Sequence, residues 1–96
     1  VAESILMEAF ALVHGNRGAD YGHPLDDFSR TAAIATALLE AKLKAPLAAE
    51  DVALFMVAVK LSRECNKPKR DNRVDGAGYF ETLDMVRVER ERRAGL

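Results

Sequence analysis

Apolar residues recur at helical spacing along most of the chain, and four segments carry the pattern. From about Ala2 to Val13, Ile5, Ala9, Leu12 and Val13 form one stripe that Leu6 and Phe10 widen, which predicts helix one. The run His14-Gly15-Asn16-Arg17-Gly18 should stop it, because glycine and asparagine take up the backbone conformations that end helices. The loop continues Ala19-Asp20-Tyr21-Gly22-His23 to Pro24, a residue suited to the first position of a helix. Helix two is then predicted from about Pro24 to Leu43, with Phe28, Ala32, Ala35 and Leu39 on one face. Ala33, Ile34, Ala37 and Leu38 make a second apolar side, whose small residues would admit another helix closely. That side is the first candidate for an oligomer interface.

Lys44-Ala45-Pro46-Leu47 interrupts the pattern. Helix three starts near Ala48 without a good N-cap, and Glu50 and Asp51 fall in its first turn. From Val52 to Leu61 it is apolar nearly all round, which predicts the central and most buried element. Its valines would also suit a strand, but Lys60, Arg63 and Glu64 return at helical spacing and the segment is long for a strand. After Asn66-Lys67-Pro68-Lys69-Arg70, helix four is predicted from about Asn72 to Arg93 with Val74, Ala77, Phe80, Leu83 and Val86 as apolar positions. Gly76 and Gly78 within it each cost about 1 kcal/mol of helix propensity relative to alanine, which points to close packing or backbone approach. Residues 87–96 are predicted to form a solvated, fraying tail with no site.

At 96 residues and 49 % hydrophobic, this reads as one all-α domain over residues 1–96, a compact four-helix bundle. Small domains bury a small share of their surface, so a homo-oligomer is expected to complete the burial. Fourteen basic and fifteen acidic residues leave a net charge of −1, which argues against a protein built to neutralise nucleic acid, even with Lys67, Lys69, Arg70 and Arg73 close together. Cys65 has no intrachain partner and reads as a reduced packing thiol. No apolar run approaches the roughly twenty residues of a bilayer span, and cytoplasm is the default location.

The densest chemistry is the stretch from Lys69 to Tyr79. Asp71 and Asp75 are four residues apart and would share a helix face, with Tyr79 one turn further on. Were Asp51 to converge with them, the three carboxylates would suit Mg²⁺, or alternatively Mn²⁺, with Lys60, Arg63, Lys69 and Arg70 placed for phosphates. The structural alternative for each acid is simple: Asp71 as a helix cap, Asp75 in an ion pair, Asp51 at a helix dipole. Lys60, between Val59 and Leu61, must snorkel outward or meet an acid. In the first loop Tyr21 could stack on a base and His23 could bind a ligand, while Asp26 and Asp27 suit the start of helix two.

Taken together, Asp20-Tyr21-Gly22-His23-Pro24, Glu50-Asp51-Val52-Ala53-Leu54, Arg70-Asp71, Val74-Asp75 and Ala77-Gly78-Tyr79 resemble a family of small phage and prophage proteins of unassigned function, over most of the chain. More distantly, the arrangement is similar to the all-α MazG-type nucleoside triphosphate pyrophosphohydrolases and to phage domains associated with nucleotide modification. Those enzymes bind Mg²⁺ through Glu-Glu-x-x-Glu and Glu-x-x-Asp motifs; here helix two offers Asp26, Asp27 and Glu40, and helix three Glu50-Asp51. The resemblance implies a MazG-like oligomeric bundle that binds a nucleotide with Mg²⁺ and hydrolyses it. In that reading Asp75 and Lys60 are catalytic, Asp51, Asp71 and Asp75 hold the metal, and Tyr21, His23, Arg63, Arg70 and Tyr79 contact substrate. The rival reading is a non-enzymatic interaction module that assembles through apolar helix faces.

Overall fold

The computed structural model describes residues 4–95, and every regular element among them is helical. Helix α1 (Ile5–His14) starts at Ser4, whose hydroxyl accepts from the Leu6 N–H. The predicted start at Ala2 lies outside the described residues. Gly15 ends α1 at a point where a Cβ would sit 2.7 Å from the Ala11 carbonyl oxygen, so only glycine fits. Where the sequence predicts a continuous loop, a short helix α2 (Arg17–Tyr21) intervenes, and Gly22, at φ +76°, turns the chain out of it.

Helix α3 (Pro24–Leu39) begins as predicted but ends earlier, in a 3₁₀ turn over Glu40–Lys42. The Thr36 hydroxyl donates to the Ala32 carbonyl and accepts from the Leu47 N–H, which fastens the following connection back onto the helix. Helix α4 (Ala49–Asn66) has the weak cap that its sequence implies: Asp51 accepts from the Ala48 N–H at 2.8 Å, and Ala48 has no side-chain oxygen to reciprocate. Helix α5 (Arg70–Arg93) starts two residues before its predicted limit, and the N-cap position belongs to Lys69 rather than Asp71.

The predicted centre is displaced by one helix. Only a narrow stripe of α4, Ala49, Ala53 and Val57, is buried, while Leu54, Phe55 and Leu61 are exposed. The spine is α5, which packs against α1, α3 and α4, whereas α1 touches neither α3 nor α4. Its buried ladder Val74, Gly78, Thr82 and Val86 repeats every four residues. Val86, fully buried, joins Leu25, Phe28, Ala49 and Ala53 in the core, with Val52, Tyr79 and Leu83 against it. The small residues of the ladder matter at α1, where a Cβ on Gly78 would stand 3.3 Å from Val13 Cγ2.

The charged end of α5 is a fastening, not the solvated tail that its sequence predicts. Arg90 forks onto Glu50 of α4 at 2.6 and 3.0 Å, and Arg93 forks onto Asp26 of α3 at 2.7 and 3.0 Å. At the other end Arg70 meets Glu8 of α1, and Arg73 meets Glu64 of α4 at 2.6 Å. Glu64 also accepts from the Lys69 N–H and from Asn72 Nδ2, so it closes the α4–α5 turn. These pairs are largely exposed, so each contributes little stability; their geometry fixes how the helices align.

Two measurements check this account. Gly76 has only ordinary van der Waals room around it, the Lys60 Cβ standing 3.9 Å from a built Cβ. Gly76→Ala should therefore raise the unfolding free energy by about 0.5–1 kcal/mol in urea titrations. Gly78→Leu should lower it, by forcing α1 away from α5. The second concerns pH. Hydrogen bonds from Arg93, Arg90 and the Lys69 N–H hold the carboxyls of Asp26, Glu50 and Glu64 below their ordinary range, and Arg92 with Arg93 pulls Glu89 down to about 2. Groups lowered on folding stabilise the fold fully above their unfolded values and lose that contribution as pH falls through the folded ones. Stability should hold above about pH 4.5 and decline steadily toward about pH 2, with a shallower decline in about 0.5 M salt.

Candidate functional site

The turn from α1 through α2 into α3 builds a hollow of about 210 Å³, closed on one side by Thr82 and Met85 of α5. Its polar lining comes from His14, Arg17, Tyr21, His23 and Asp27. The Arg17 guanidinium lies over the Tyr21 ring, 5.5 Å from its centroid, a contact made possible because α2 brings residues four apart onto one face. Tyr21 is 55 % exposed to solvent. His23 sits at the N-cap of α3, where its Nδ1 accepts from the Leu25 N–H at 3.0 Å. That bond fixes the neutral tautomer with its proton on Nε2, which leaves a donor at the outer edge of the ring. His14 is held by its Nε2, 2.6 Å from Glu81 Oε2, and its ring leans on Phe10 at 4.3 Å.

Three glycines line the same hollow: Gly15, Gly18 and Gly22. Gly15 and Gly22 have backbone reasons. Gly18 has none, since its φ is not positive and a Cβ there would meet nothing within 4 Å. Glycine in a helix costs stability, and at this position neither packing nor backbone conformation requires it.

A second, smaller hollow of about 80 Å³ adjoins it and shares Val13, Arg17 and Thr82. Asp75, Gly78 and Tyr79 of α5 line its far side. The structure thus brings four of the sequence-predicted site residues, Tyr21, His23, Asp75 and Tyr79, around one pair of neighbouring hollows. Lys60 reaches in from α4 to Asp75, Nζ to Oδ2 at 2.8 Å; the lysine side chain is 15 % exposed and the aspartate 39 %. The acid that Lys60 requires is therefore Asp75, and the partner of Asp75 is neither Arg70 nor Arg73.

The remaining predicted residues lie elsewhere. Asp51 caps the opposite end of α4, nine residues and so about 13 Å along the axis from Lys60, and Asp71 is exposed on the first turn of α5. The three carboxylates assigned to a metal are not brought together, and among the described residues no group of three metal-ligating side chains is placed to hold an ion. Arg70 is engaged with Glu8, and Arg63 lines a separate, open hollow with Lys67 and Lys69 at the α4–α5 turn. Sequence reasoning passes over Arg17 because it sits in what reads as a loop. The available signal is its spacing of four from Tyr21.

The chain matches the model of a protein family described as a domain of unknown function, DUF6378, over residues 4–91. It belongs to that family. It is 34 % identical over 90 residues to the Gene 55 protein of Mycobacterium phage D29, covering 93 % of this chain and 57 % of that protein. To the Gene 55 protein of Mycobacterium phage L5 it is 33 % identical over 91 residues, covering 94 % of this chain and 56 % of that one. The chain thus spans a little over half the length of the curated relatives it matches. No solved structure matches. Among the described residues no helix is long and apolar enough to cross a membrane.

The Lys60–Asp75 pair can be tested apart from any ligand. Asp75→Asn leaves a mostly enclosed ammonium without its counter-charge and should cost about 1–2 kcal/mol in urea denaturation, the half-exposed acid limiting the loss. Lys60→Met should cost less, and the double variant should regain part of the Asp75→Asn loss.

Proposed function

We propose that the chain is a phage-type nucleotide-binding protein whose ligand enters the α1–α2–α3 hollow. The observation that carries the reading is the composition of that hollow: a guanidinium already resting on an exposed tyrosine ring, a histidine whose Nε2 proton is fixed outward, and a glycine that the fold does not need. Arg17 supplies planar, bidentate donors for phosphate, and the free face of Tyr21 suits a base. The larger hollow is the size of one part of a nucleotide, with the rest lying across its open mouth and toward Asp75 and Tyr79. The resemblance to MazG-type enzymes supports the same ligand class.

Hydrolysis is the further step of this reading. Water would add to the α-phosphorus, pyrophosphate would leave, and a carboxylate would orient the water. Asp75 is the acid in position, with one oxygen held by Lys60, which would keep it oriented. The side chains present do not form a cage for a resident Mg²⁺ or Mn²⁺; in this reading a divalent ion arrives on the phosphates, as Mg²⁺ usually does.

The rival, a module without a ligand, is favoured by one observation: Lys60, Asp75 and Arg70 already have partners within the chain. A panel of canonical and base-modified nucleoside triphosphates, with and without Mg²⁺, separates the two. A ligand with a Kd of about 100 µM, supplied at about 1 mM, adds about 1.4 kcal/mol and so raises Tm by several degrees. At least one triphosphate should produce that shift, and Arg17→Ala should remove it while leaving the ligand-free Tm unchanged. Pyrophosphate release by the wild type, lost in Asp75→Asn at temperatures where that variant is folded, would establish the hydrolytic step. No shift across the panel would leave the interaction module standing.

A further inference from the structure

The side of α5 opposite the candidate site is apolar and uncovered. Phe80 projects there, 56 % exposed, about 200° around the helix from the buried Thr82. On one flank it lines a hollow with Leu6, Phe10 and Ala77, and on the other a hollow with Val57, Leu61 and Ala77. Because α1 does not touch α4, the three helices lie side by side here with nothing across them. Leu6, Phe10 and Leu61 are each at least 60 % exposed, and Leu54, seven residues before Leu61, continues the same flank.

The whole chain carries the mark of this opening. Its accessible surface is 6871 Å², whereas a compact monomer of 10.5 kDa exposes about 5,400 Å². Its radius of gyration is 14.6 Å, against about 12.5 Å for a compact domain of this length. The excess of about 1,400 Å², to which this face and the exposed Ile34, Leu38 and Phe55 all contribute, is of the order that one subunit of an obligate dimer buries, since such interfaces exceed about 1,000 Å² on each side.

We infer that this face is covered by a second copy of the chain, paired about a two-fold axis near Phe80. Charge selects a second copy over an oppositely charged partner. Of the ionic groups around the two hollows, Lys60 is matched by Asp75 and Glu64 by Arg73, and Glu81, hydrogen-bonded to His14, stands at the rim. A face nearly free of uncompensated charge meets its own copy with little repulsion, and the ridge of Phe80 between two hollows is complementary to itself under two-fold rotation. Ala77 beneath the ridge is small enough to let the two α5 helices approach closely. The interface differs from the one that the alanine-rich side of α3 suggests. There the exposed Ile34 and Leu38 lie on α3 alone, whereas the Phe80 face draws on three helices.

Light scattering on the wild-type chain at about 100 µM should give twice 10.5 kDa. In a Cys65→Ser background, Phe80→Cys should form an intermolecular disulfide under mild oxidation, and Leu38→Cys should not. Phe80→Asp should give the monomer mass or, if folding requires the partner, lose its helical circular dichroism. The cysteine variant carries no added charge, so it reports on the interface in either case. A monomeric wild type, as expected if another chain or a further segment covers this face, would overturn the inference, as would failure of Phe80→Cys to cross-link.

Discussion

One helix, α5, packs against each of the other three long helices. Helix α1 packs on α5 and adjoins the short α2, while α3 and α4 pack on each other as well as on α5. The ladder Val74, Gly78, Thr82 and Val86 therefore has two demands to satisfy. It must be small enough at Gly78 for α1 to seat Val13, and apolar enough at Val86 for the core that Leu25 and Phe28 complete. The arginines at 70, 73, 90 and 93 then reach carboxylates on α1, α4 and α3. Exposed ion pairs contribute little energy, but four guanidinium contacts placed at the two ends of one helix leave few alternative alignments of its neighbours.

Since α5 is the spine, its two remaining sides are left for other purposes, and they differ in chemistry. Toward Thr82 and Asp75 the neighbours are Arg17, Tyr21 and His23, and the surface is concave, with these polar groups set in a mostly apolar lining. Toward Phe80 the neighbours are Leu6, Phe10 and Leu61, and the surface is concave and apolar. A helix buried on all sides would have neither. The flatness of the chain, 46 × 35 × 23 Å, follows from the same arrangement, because three helices in a row cannot enclose a core by themselves.

The helical class and the main breaks are legible in the sequence because apolar spacing, Pro24, Pro68 and the glycines act locally. The ranking of the helices is not. Val52 to Leu61 reads as the centre because hydrophobicity along one segment says nothing of whether another element arrives to cover it. Conversely, α5 is polar over most of its length and its buried positions include glycine and threonine, so its sequence does not mark it as the spine. The same limit applies to the site. Tyr21, His23, Asp75 and Tyr79 are readable as unusual residues, and Lys60 as a lysine that needs an acid. That Asp51 lies at the far end of α4 depends on helix length and direction, and Arg17 becomes meaningful only once α2 is known to be a helix.

A polar residue in a small domain is informative in proportion to what the fold fails to explain about it. Asp51 is accounted for by the Ala48 N–H, Arg70 by Glu8, and Glu64 by the turn that it closes. Asp75 is half accounted for, with one oxygen on Lys60 and its side chain on the wall of a hollow. Arg17 and Tyr21 hold each other, at an exposed position where their contact contributes little to stability. Gly18 beside them has neither a steric nor a conformational reason to be glycine. A cation on an aromatic ring, placed next to a glycine with open space around it, is what the packing of this fold leaves unexplained. By the same reasoning the densest acidic and basic stretch of the sequence, residues 69–75, is mostly structural, and Asp75 is the residue of it that lines a hollow.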